Sequence, residues 1–340
     1  SGAALASNFA IGGTGSDTCQ SIRHPSSVSG LVGIRPSIGV VSRKGIFPLS
    51  HIRDTGGPMT RSVRDSALML TAMASIDPVD DPDTTLFKAE DRPDTYLRFL
   101  DRDTHGVKGK KIGVVRQLGT NSTPAGTDQQ GVLIAQAIEK MKSMGAEVYE
   151  VFLPSFQNRG GGSTHYDTNR YFFEFVRDGG KSPRKCLSSA FFASNPDVLP
   201  SCSTTEGILE TLRVGPRTAG LVAVSASGDP GGKPTQAQID AIAQERDYVT
   251  KVMNGELDAL GEKEAMVLNS QGNPVKVNLD ALVLSPGPTG GRTCDFGSTT
   301  QMGSIVVPVG FDSQVGVPRG MEIFVRRFDE GKGLGIAFDF

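Results

Sequence analysis

The chain has 340 residues, a length that by itself favours two ordinary domains. Its 35 basic and 37 acidic residues nearly cancel, which excludes a broad basic surface for nucleic acid or an anionic membrane. With 37% hydrophobic and 21% charged residues, the composition is that of a globular protein, and no apolar run approaches the ~20 residues of a membrane helix. Residues 1–16 also lack the basic start of a secretory signal.

The first clear periodicity along the chain predicts a helix over residues 60–73. Val63, Ala67 and Leu70 share its apolar face, and Thr60 is the expected N-cap. The acidic, proline-rich segment 77–83 that follows is typical of a solvated surface turn.

The centre of the chain contains a predicted β-α-β unit. Residues 110–116 form a short apolar run, residues 128–144 have helical periodicity, and residues 146–153 alternate with period two. Gly145 occupies the position after the helix where a glycine commonly ends it. Such a unit pairs its strands in parallel through a right-handed crossover, so we expect an α/β fold.

The rest of the chain continues the alternation of helices and strands. Residues 154–234 have the least periodicity and many Gly, Ser and Pro residues, as expected for a variable insertion or a cap over a site. A long helix is predicted over 235–257, and Asp329 is a plausible cap of a C-terminal helix. Buried strands are predicted over 279–284, 304–309 and 321–325.

The cysteines and histidines do not predict a metal site. Cysteines 19, 186, 202 and 294 include no C-x-x-C pair, and the four histidines have no H-x-x-x-H spacing. Cys186 and Cys202 are close enough in sequence to form a disulfide in an oxidising compartment, and free thiols in a reducing cytosol are the alternative. We expect a cytoplasmic protein.

Residues 12–25 form the densest cluster of glycine and polar residues. A dinucleotide-binding loop is excluded because Thr18 occupies the position of the third required glycine, and residues 228–235 fail the phosphate-loop pattern as well. Ser21 lies in a polar turn whose backbone N–H groups can converge on an oxyanion, so it is a candidate nucleophile, with an ordinary turn serine as the alternative. A Ser-His-Asp triad with His24 or His51 is conceivable, but His24 is poorly placed three residues after the serine, and four histidines leave few candidates.

Four segments in this part of the chain closely resemble the amidase signature family. They are residues 15–25 (GSDTCQSIRHP), 30–36 (GLVGIRP), 41–49 (VSRKGIFPL) and 54–63 (DTGGPMTRSV). The β-α-β segment 110–153 and the runs 303–311 and 320–325 resemble the family as well. The resemblance implies one α/β/α domain around a mixed sheet over residues 1–340, with 154–234 as its cap, instead of the two domains suggested by length.

The resemblance also implies amide hydrolysis by a Ser-cisSer-Lys triad without a cofactor or metal. Ser21 matches the nucleophile that becomes acylated, and the backbone N–H groups of Thr18, Cys19, Gln20 and Ser21 match the oxyanion hole. The family often has Gly-Gly where this chain has Cys19 and Gln20, a change that a main-chain role tolerates. The position of Cys19 is not catalytic in the family.

Two charged residues match positions that brace the nucleophile loop in the family. These are Asp17 and Arg23, for which exposed surface charges are the alternative.

The other two triad members have no match in this sequence. In the family the cis-serine and the base lysine precede the segment that residues 1–7 resemble, so we expect them from a missing N-terminal segment or a second polypeptide. Without that base, Ser21 is expected to be a weak nucleophile.

Three functions stay open at this point. The main hypothesis is an amidohydrolase acting on a small-molecule amide, with no nucleic acid as partner and homo-oligomerisation possible. The alternatives are a catalytically silent amidase-fold scaffold and the amide-transferring subunit of a tRNA-dependent amidotransferase, which requires protein and tRNA partners.

Overall fold

The structure is a computed structural model that describes residues 1–115, 129–154, 156, 235–256, 265–286 and 292–340. The chain divides into two compact units, residues 1–46, 53–160 and 240–340 in the first, and 47–52 and 161–239 in the second. Of the second unit the description covers only 47–52 and 235–239. Nearly all of 154–234 lies outside the described residues, so the single domain and its cap stay predictions.

The described part of the first unit is built on a mixed sheet of nine strands in the order β1-β3-β2-β8-β9-β7-β4-β5-β6. Strand β4 runs parallel to β5 and β7, and the remaining neighbours are antiparallel. The strands are β1 Gly12–Asp17, β2 Val32–Arg35, β3 Thr55–Thr60, β4 Lys111–Val115, β5 Glu147–Phe152, β6 Met266–Leu268, β7 Ala281–Leu284, β8 Gly303–Asp312 and β9 Val317–Val325.

Eight α-helices and three short 3-10 helices are described. The α-helices are α1 Gly2–Ala6, α2 Arg23–Val28, α3 Val63–Met73, α4 Arg102–His105, α5 Gln129–Ser143, α6 Gln236–Asn254, α7 Arg292–Thr300 and α8 Glu330–Asp339. The 3-10 helices are Pro82–Leu86, Ala89–Asp91 and Tyr96–Phe99. None of these helices has the length and apolar composition needed to cross a bilayer.

The sheet separates two apolar cores because successive side chains of a strand point to opposite faces. On β7, Ala281 and Val283 pack into a core with residues of α3, α5 and α8, whereas Leu282 and Leu284 pack into a core with α6 and α7. The sheet is therefore covered by helices on both faces, which confirms the predicted α/β/α sandwich around a mixed sheet.

The predicted β-α-β unit is confirmed. Strand β4, helix α5 and strand β5 follow one another, and the two strands pair in parallel from Lys111 with Glu147 to Val115 with Val151. Gly145 ends the unit's helix at φ +96°, a conformation that glycine adopts without strain. The long helix α6, strands β7 to β9 and the position of Asp329 before α8 also agree with the sequence prediction.

The helix predicted over residues 60–73 begins three residues later. Thr60 is the last residue of β3, and Ser62 is the N-cap of α3, where its hydroxyl accepts the N–H of Asp65 at 3.1 Å. Thr60 instead uses its hydroxyl to donate to the carbonyl of Ser62 at 2.7 Å. Both residues are good cap formers, so sequence alone did not separate them.

The acidic segment 77–83 is not simply a solvated turn. Asp81 is fully buried and accepts the backbone N–H and the Nε–H of Arg43, both at 2.8 Å. The prediction was wrong at this residue because a distant arginine compensates the burial of its charge.

Candidate active site

The exposed serine proposed as nucleophile lies where an edge strand turns into a helix. Strand β1 ends at Asp17, residues 18–22 form the connection, and α2 begins at Arg23. Within this connection Ser21 is exposed, whereas the next residue, Ile22, is fully buried. The connection thus presents the serine hydroxyl outward while the adjoining side chain anchors it to the core.

Helix α2 lies unusually close to the sheet because glycines face it. A Cβ on Gly33 of β2 would be 2.1 Å from Ser26 Oγ, and one on Gly320 of β9 would be 3.1 Å from Ser27 Cα. Across the same contact, the N–H of Gly320 donates to Ser27 Oγ at 2.8 Å. Ser26 and Ser27, in the last turn of α2, are therefore held directly against the sheet.

Asp17 binds the backbone of the first turn of this helix. Its Oδ2 accepts the N–H groups of Ile22 at 3.1 Å and Arg23 at 3.3 Å, which would otherwise have no partner at a helix start. Burial favours a higher pKa for Asp17, but the charges of Arg23 and Arg35 and the bond from Ile22 outweigh it and lower the pKa. Asp17 is therefore an ionised, fully buried carboxylate at neutral pH.

Arg23 connects three separate acceptors and is fully buried. Its Nε is 3.2 Å from Asp17 Oδ2, its Nη1 is 2.8 Å from Glu322 Oε1, and its Nη2 donates to the carbonyl oxygen of Cys19. Burial disfavours the charged form, but the two carboxylates raise the pKa of Arg23 above its ordinary value. The predicted alternative, a surface charge, is wrong for both Asp17 and Arg23.

Two further charged residues complete this cluster, and no local sequence pattern assigned them to the site. Arg35 Nε is 3.4 Å from Asp17 Oδ1, and Glu322 contacts Arg23 from the middle of β9. Burial lowers the pKa of Arg35 to about 10, so its side chain stays charged at neutral pH. We call Asp17, Arg23, Arg35 and Glu322 the buried charge cluster; its two positive and two negative charges cancel, as buried ions require.

Thr18 and Gln20 are fixed by neighbours on either side of the connection. The hydroxyl of Thr18, which is 9% exposed, donates to Asp54 Oδ1 at 2.5 Å. The carbonyl of Gln20 accepts the N–H of His24 at 2.9 Å and so opens the first helical turn. The two bonds hold the predicted oxyanion segment at its first residue and at the residue before Ser21.

Cys19 is engaged in a disulfide bond. Its sulfur is therefore not available as a thiolate nucleophile. The other three cysteines lie where side chains are not described, so the suggested pairing of Cys186 with Cys202 stays a prediction.

The structure brings all six sequence-predicted site residues into one connection and its two flanking elements. The exposed Ser21 and the buried pair Asp17 and Arg23 belong to the same short segment, and Thr18, Cys19 and Gln20 lie between them. Glu322 and Arg35 could have been suspected from one signal only, which is a charged residue inside a strand of otherwise apolar residues.

Comparisons with known proteins agree with this geometry. Residues 1–160 match the family model Amidase. The complete chain also aligns with the native peptide amidase of Stenotrophomonas maltophilia at 25% identity and a TM-score of 0.68, over 63% of that chain. The chain is thus similar to amidase signature enzymes, in sequence over residues 1–160 and in fold. An amidase family protein of Bacillus anthracis shares the fold at a TM-score of 0.67 and 23% identity, over all of this chain and 58% of the other.

The sequence relatives of this chain include subunits of glutamyl-tRNA(Gln) amidotransferases. The subunit from Cereibacter sphaeroides is 39% identical over 154 residues, which are 45% of this chain and 29% of the relative. The subunit from Brachyspira hyodysenteriae is 39% identical over 155 residues, 46% of this chain and 30% of the relative. The matched part thus spans less than a third of these relatives.

Proposed function

We propose that this chain is the nucleophile-bearing part of an amidohydrolase that cleaves a carboxylic amide C–N bond through an acyl-enzyme on Ser21. The observation that carries the proposal is the exposed Ser21 on a connection tied to a buried charge cluster, in a chain similar to amidase signature enzymes. A serine with only a turn-forming role would not require a connection tied to four buried charges.

In the proposed reaction the Oγ of Ser21 attacks the amide carbon while its proton passes to a base. The carbonyl oxygen then carries the negative charge of a tetrahedral intermediate, which N–H groups of Thr18, Cys19, Gln20 and Ser21 stabilise. The C–N bond breaks, the amine leaves with a proton, and the ester on Ser21 remains. Water then attacks this ester, which releases the acid and returns the proton to Ser21.

The base is the part of the proposal that this sequence does not supply. The family resemblance assigns this role to a lysine acting through a cis-serine, both upstream of the segment that residues 1–7 resemble. We propose that these groups come from upstream polypeptide or from a second polypeptide. No cofactor or metal takes part in the proposed steps.

Fluorophosphonate labelling tests the assignment of Ser21. The protein is prepared together with the polypeptide proposed to supply the cis-serine and the lysine, and the rate of labelling is compared with that of Ser21→Ala. We expect the substitution to abolish labelling and amide hydrolysis, with a peptide carboxamide as the first substrate to try.

Ser16→Ala is the matched control, since Ser16 is another exposed serine of the same segment, in strand β1. It should label like the wild type. Equal labelling of wild type and Ser21→Ala would contradict the assignment of Ser21 as the nucleophile.

Amide transfer is the second candidate function, and the 39% identity to the amidotransferase subunits favours it. A transferase of this kind would release ammonia from an amide donor for a second substrate held by partner subunits. Purification of the protein from its native source distinguishes the two, because the transferase requires co-purifying subunits and an aminoacyl-tRNA acceptor, whereas the hydrolase turns over amides without them. A catalytically silent binding or scaffold protein would be neither labelled by the probe nor able to turn over amides in either preparation.

A further inference from the structure

We propose that Glu322 is a positioning residue for the oxyanion segment, acting through Arg23 on the peptide bond between Cys19 and Gln20. This inference rests on the proposed function, because it assigns a role within the same site. Glu322 lies 301 positions after Ser21 along the chain and reaches the site only through the pairing of β9 in the sheet.

A contact with Arg23 orients the peptide bond concerned. The Nη2 of Arg23 donates to the carbonyl oxygen of Cys19. In a trans peptide the carbonyl and the following N–H point in opposite directions, and the described residues contain no cis peptide bond. Arg23 therefore directs the N–H of Gln20 away from the buried charge cluster.

Arg23 can fix this peptide only if its own guanidinium is fixed. The group is planar, so two anchored edges determine where its remaining N–H points. Asp17 holds the edge formed by Nε and Nη2 through bonds of 3.2 and 3.3 Å, and Glu322 holds Nη1 at 2.8 Å. Gly297 of α7 packs against the same side of the guanidinium, because a Cβ on Gly297 would be 3.0 Å from Nη1.

Asp17 alone does not replace Glu322. Its carboxylate is shared between Arg23 and Arg35, whose Nε is 3.4 Å from Asp17 Oδ1. Without the charge of Glu322 the cluster would hold two arginines and one carboxylate, all fully buried. The two arginines would repel each other across Asp17, and Arg23 would lose the partner that fixes its Nη1.

Glu322→Gln removes the charge and keeps the shape of the side chain. In the protein prepared with the polypeptide proposed to supply the cis-serine and the lysine, we expect kcat for amide hydrolysis to fall about 10- to 100-fold with KM nearly unchanged. The loss is smaller than the ~100- to 1,000-fold effect of deleting an oxyanion donor, because the donor is misaligned and not absent. Active-site titration with a fluorophosphonate corrects kcat for any loss of folded protein.

Asp312→Asn is the matched control on the same hairpin. Asp312 pairs with Arg319 at 2.9 Å and caps the turn between β8 and β9, but it lies outside the buried charge cluster. It should cost stability and leave the corrected kcat unchanged. A wild-type kcat for Glu322→Gln, or an equal loss for Asp312→Asn, would overturn the inference.

Hydrogen exchange supplies a readout that does not need activity. Peptides covering residues 17–24 should exchange faster in Glu322→Gln and at the wild-type rate in Asp312→Asn. If Ser21→Ala is inactive and Glu322→Gln matches the wild type in both assays, only this inference fails. If the wild type is never acylated, the proposed function fails, and unchanged exchange in Glu322→Gln would remove the positioning role as well.

Discussion

Asp17 and Glu330 are both fully buried carboxylates, yet their surroundings shift their acidities in opposite directions. Asp17 faces two arginines, and its pKa is lowered despite its burial. Glu330, in the first turn of α8, accepts the N–H of Ser37 at 2.7 Å and the hydroxyl of the same residue, and burial raises its pKa. Of these two carboxylates, Asp17 lies beside the proposed nucleophile, and the two arginines stabilise its charged form. The difference shows that neighbouring charges, and not burial alone, determine the acidity of each group.

The largest expected effect comes from Asp17→Asn. It leaves Arg23 and Arg35 with Glu322 as their remaining carboxylate in the cluster and weakens the acceptor for the first turn of α2. We expect the free energy of unfolding at pH 7 to fall by about 3–5 kcal/mol, as when one partner of a buried ion pair is removed. Urea denaturation measures this, and a change below about 1 kcal/mol would contradict the assigned electrostatics.

The pH dependence of stability should separate the two carboxylates. Asp17 has a folded-state pKa below its ordinary value of 3.8, so its contribution is present above that pH and is lost as the pH falls through the folded pKa. Glu330 has a folded-state pKa above its ordinary value of 4.5, so its contribution is present below that pH and is lost as the pH rises through the folded pKa.

Denaturation between pH 2 and 8 checks these opposite signs. Asp17→Asn should flatten the loss of stability on the acid side, and Glu330→Gln should flatten a loss on the neutral side. The opposite pKa shifts of Asp17 and Glu330 would be contradicted if both variants reduced the loss of stability on the same side of the pH profile.

Ser37→Ala should have a smaller effect than Asp17→Asn. It removes the hydroxyl donor of Glu330 and an acceptor for the N–H of Phe328 at 3.1 Å, but the backbone N–H of Ser37 continues to serve Glu330. We expect a loss of about 1–2 kcal/mol in urea denaturation. The loss of a donor to the carboxylate should also raise the pKa of Glu330 further, which would extend the loss of stability to higher pH.

Glu330→Gln should have the smallest effect. Its side-chain carbonyl can still accept both bonds from Ser37, and no charge has to be buried. We expect stability at pH 7 within about 1 kcal/mol of the wild type, several-fold less than the effect of Asp17→Asn. A loss as large as that of Asp17→Asn would contradict the raised pKa assigned to Glu330.

The sequence predicted the fold after residue 110 better than the fold before it. Strands β4 and β5 and helix α5 follow apolar periodicities that a local pattern contains. Strands β1 and β3 carry five glycines among their twelve residues and no alternation, so they were missed. The glycines of these strands let neighbouring backbones approach closely. A Cβ on Gly57 of β3, for example, would be 2.0 Å from the carbonyl oxygen of Ile34 in β2.

The sequence predicted the site residues that lie within one continuous segment, but not those that reach the site from other parts of the chain. Asp17, Arg23 and Ser21 lie within seven residues, so the family resemblance could assign them together. Glu322 and Arg35 enter the same cluster through tertiary pairing, and no local pattern distinguishes a charge paired across the core from one at the surface.

The contact of α2 with Gly33 and Gly320 has a consequence for how this site can vary. The two strands present glycines to the helix, so the main chain of Gly33 and Gly320 meets Ser26 and Ser27 directly. A larger residue at either glycine would push α2, and with it Ser21, away from the sheet. The height of the serine above the sheet therefore depends on two positions that carry no side chain.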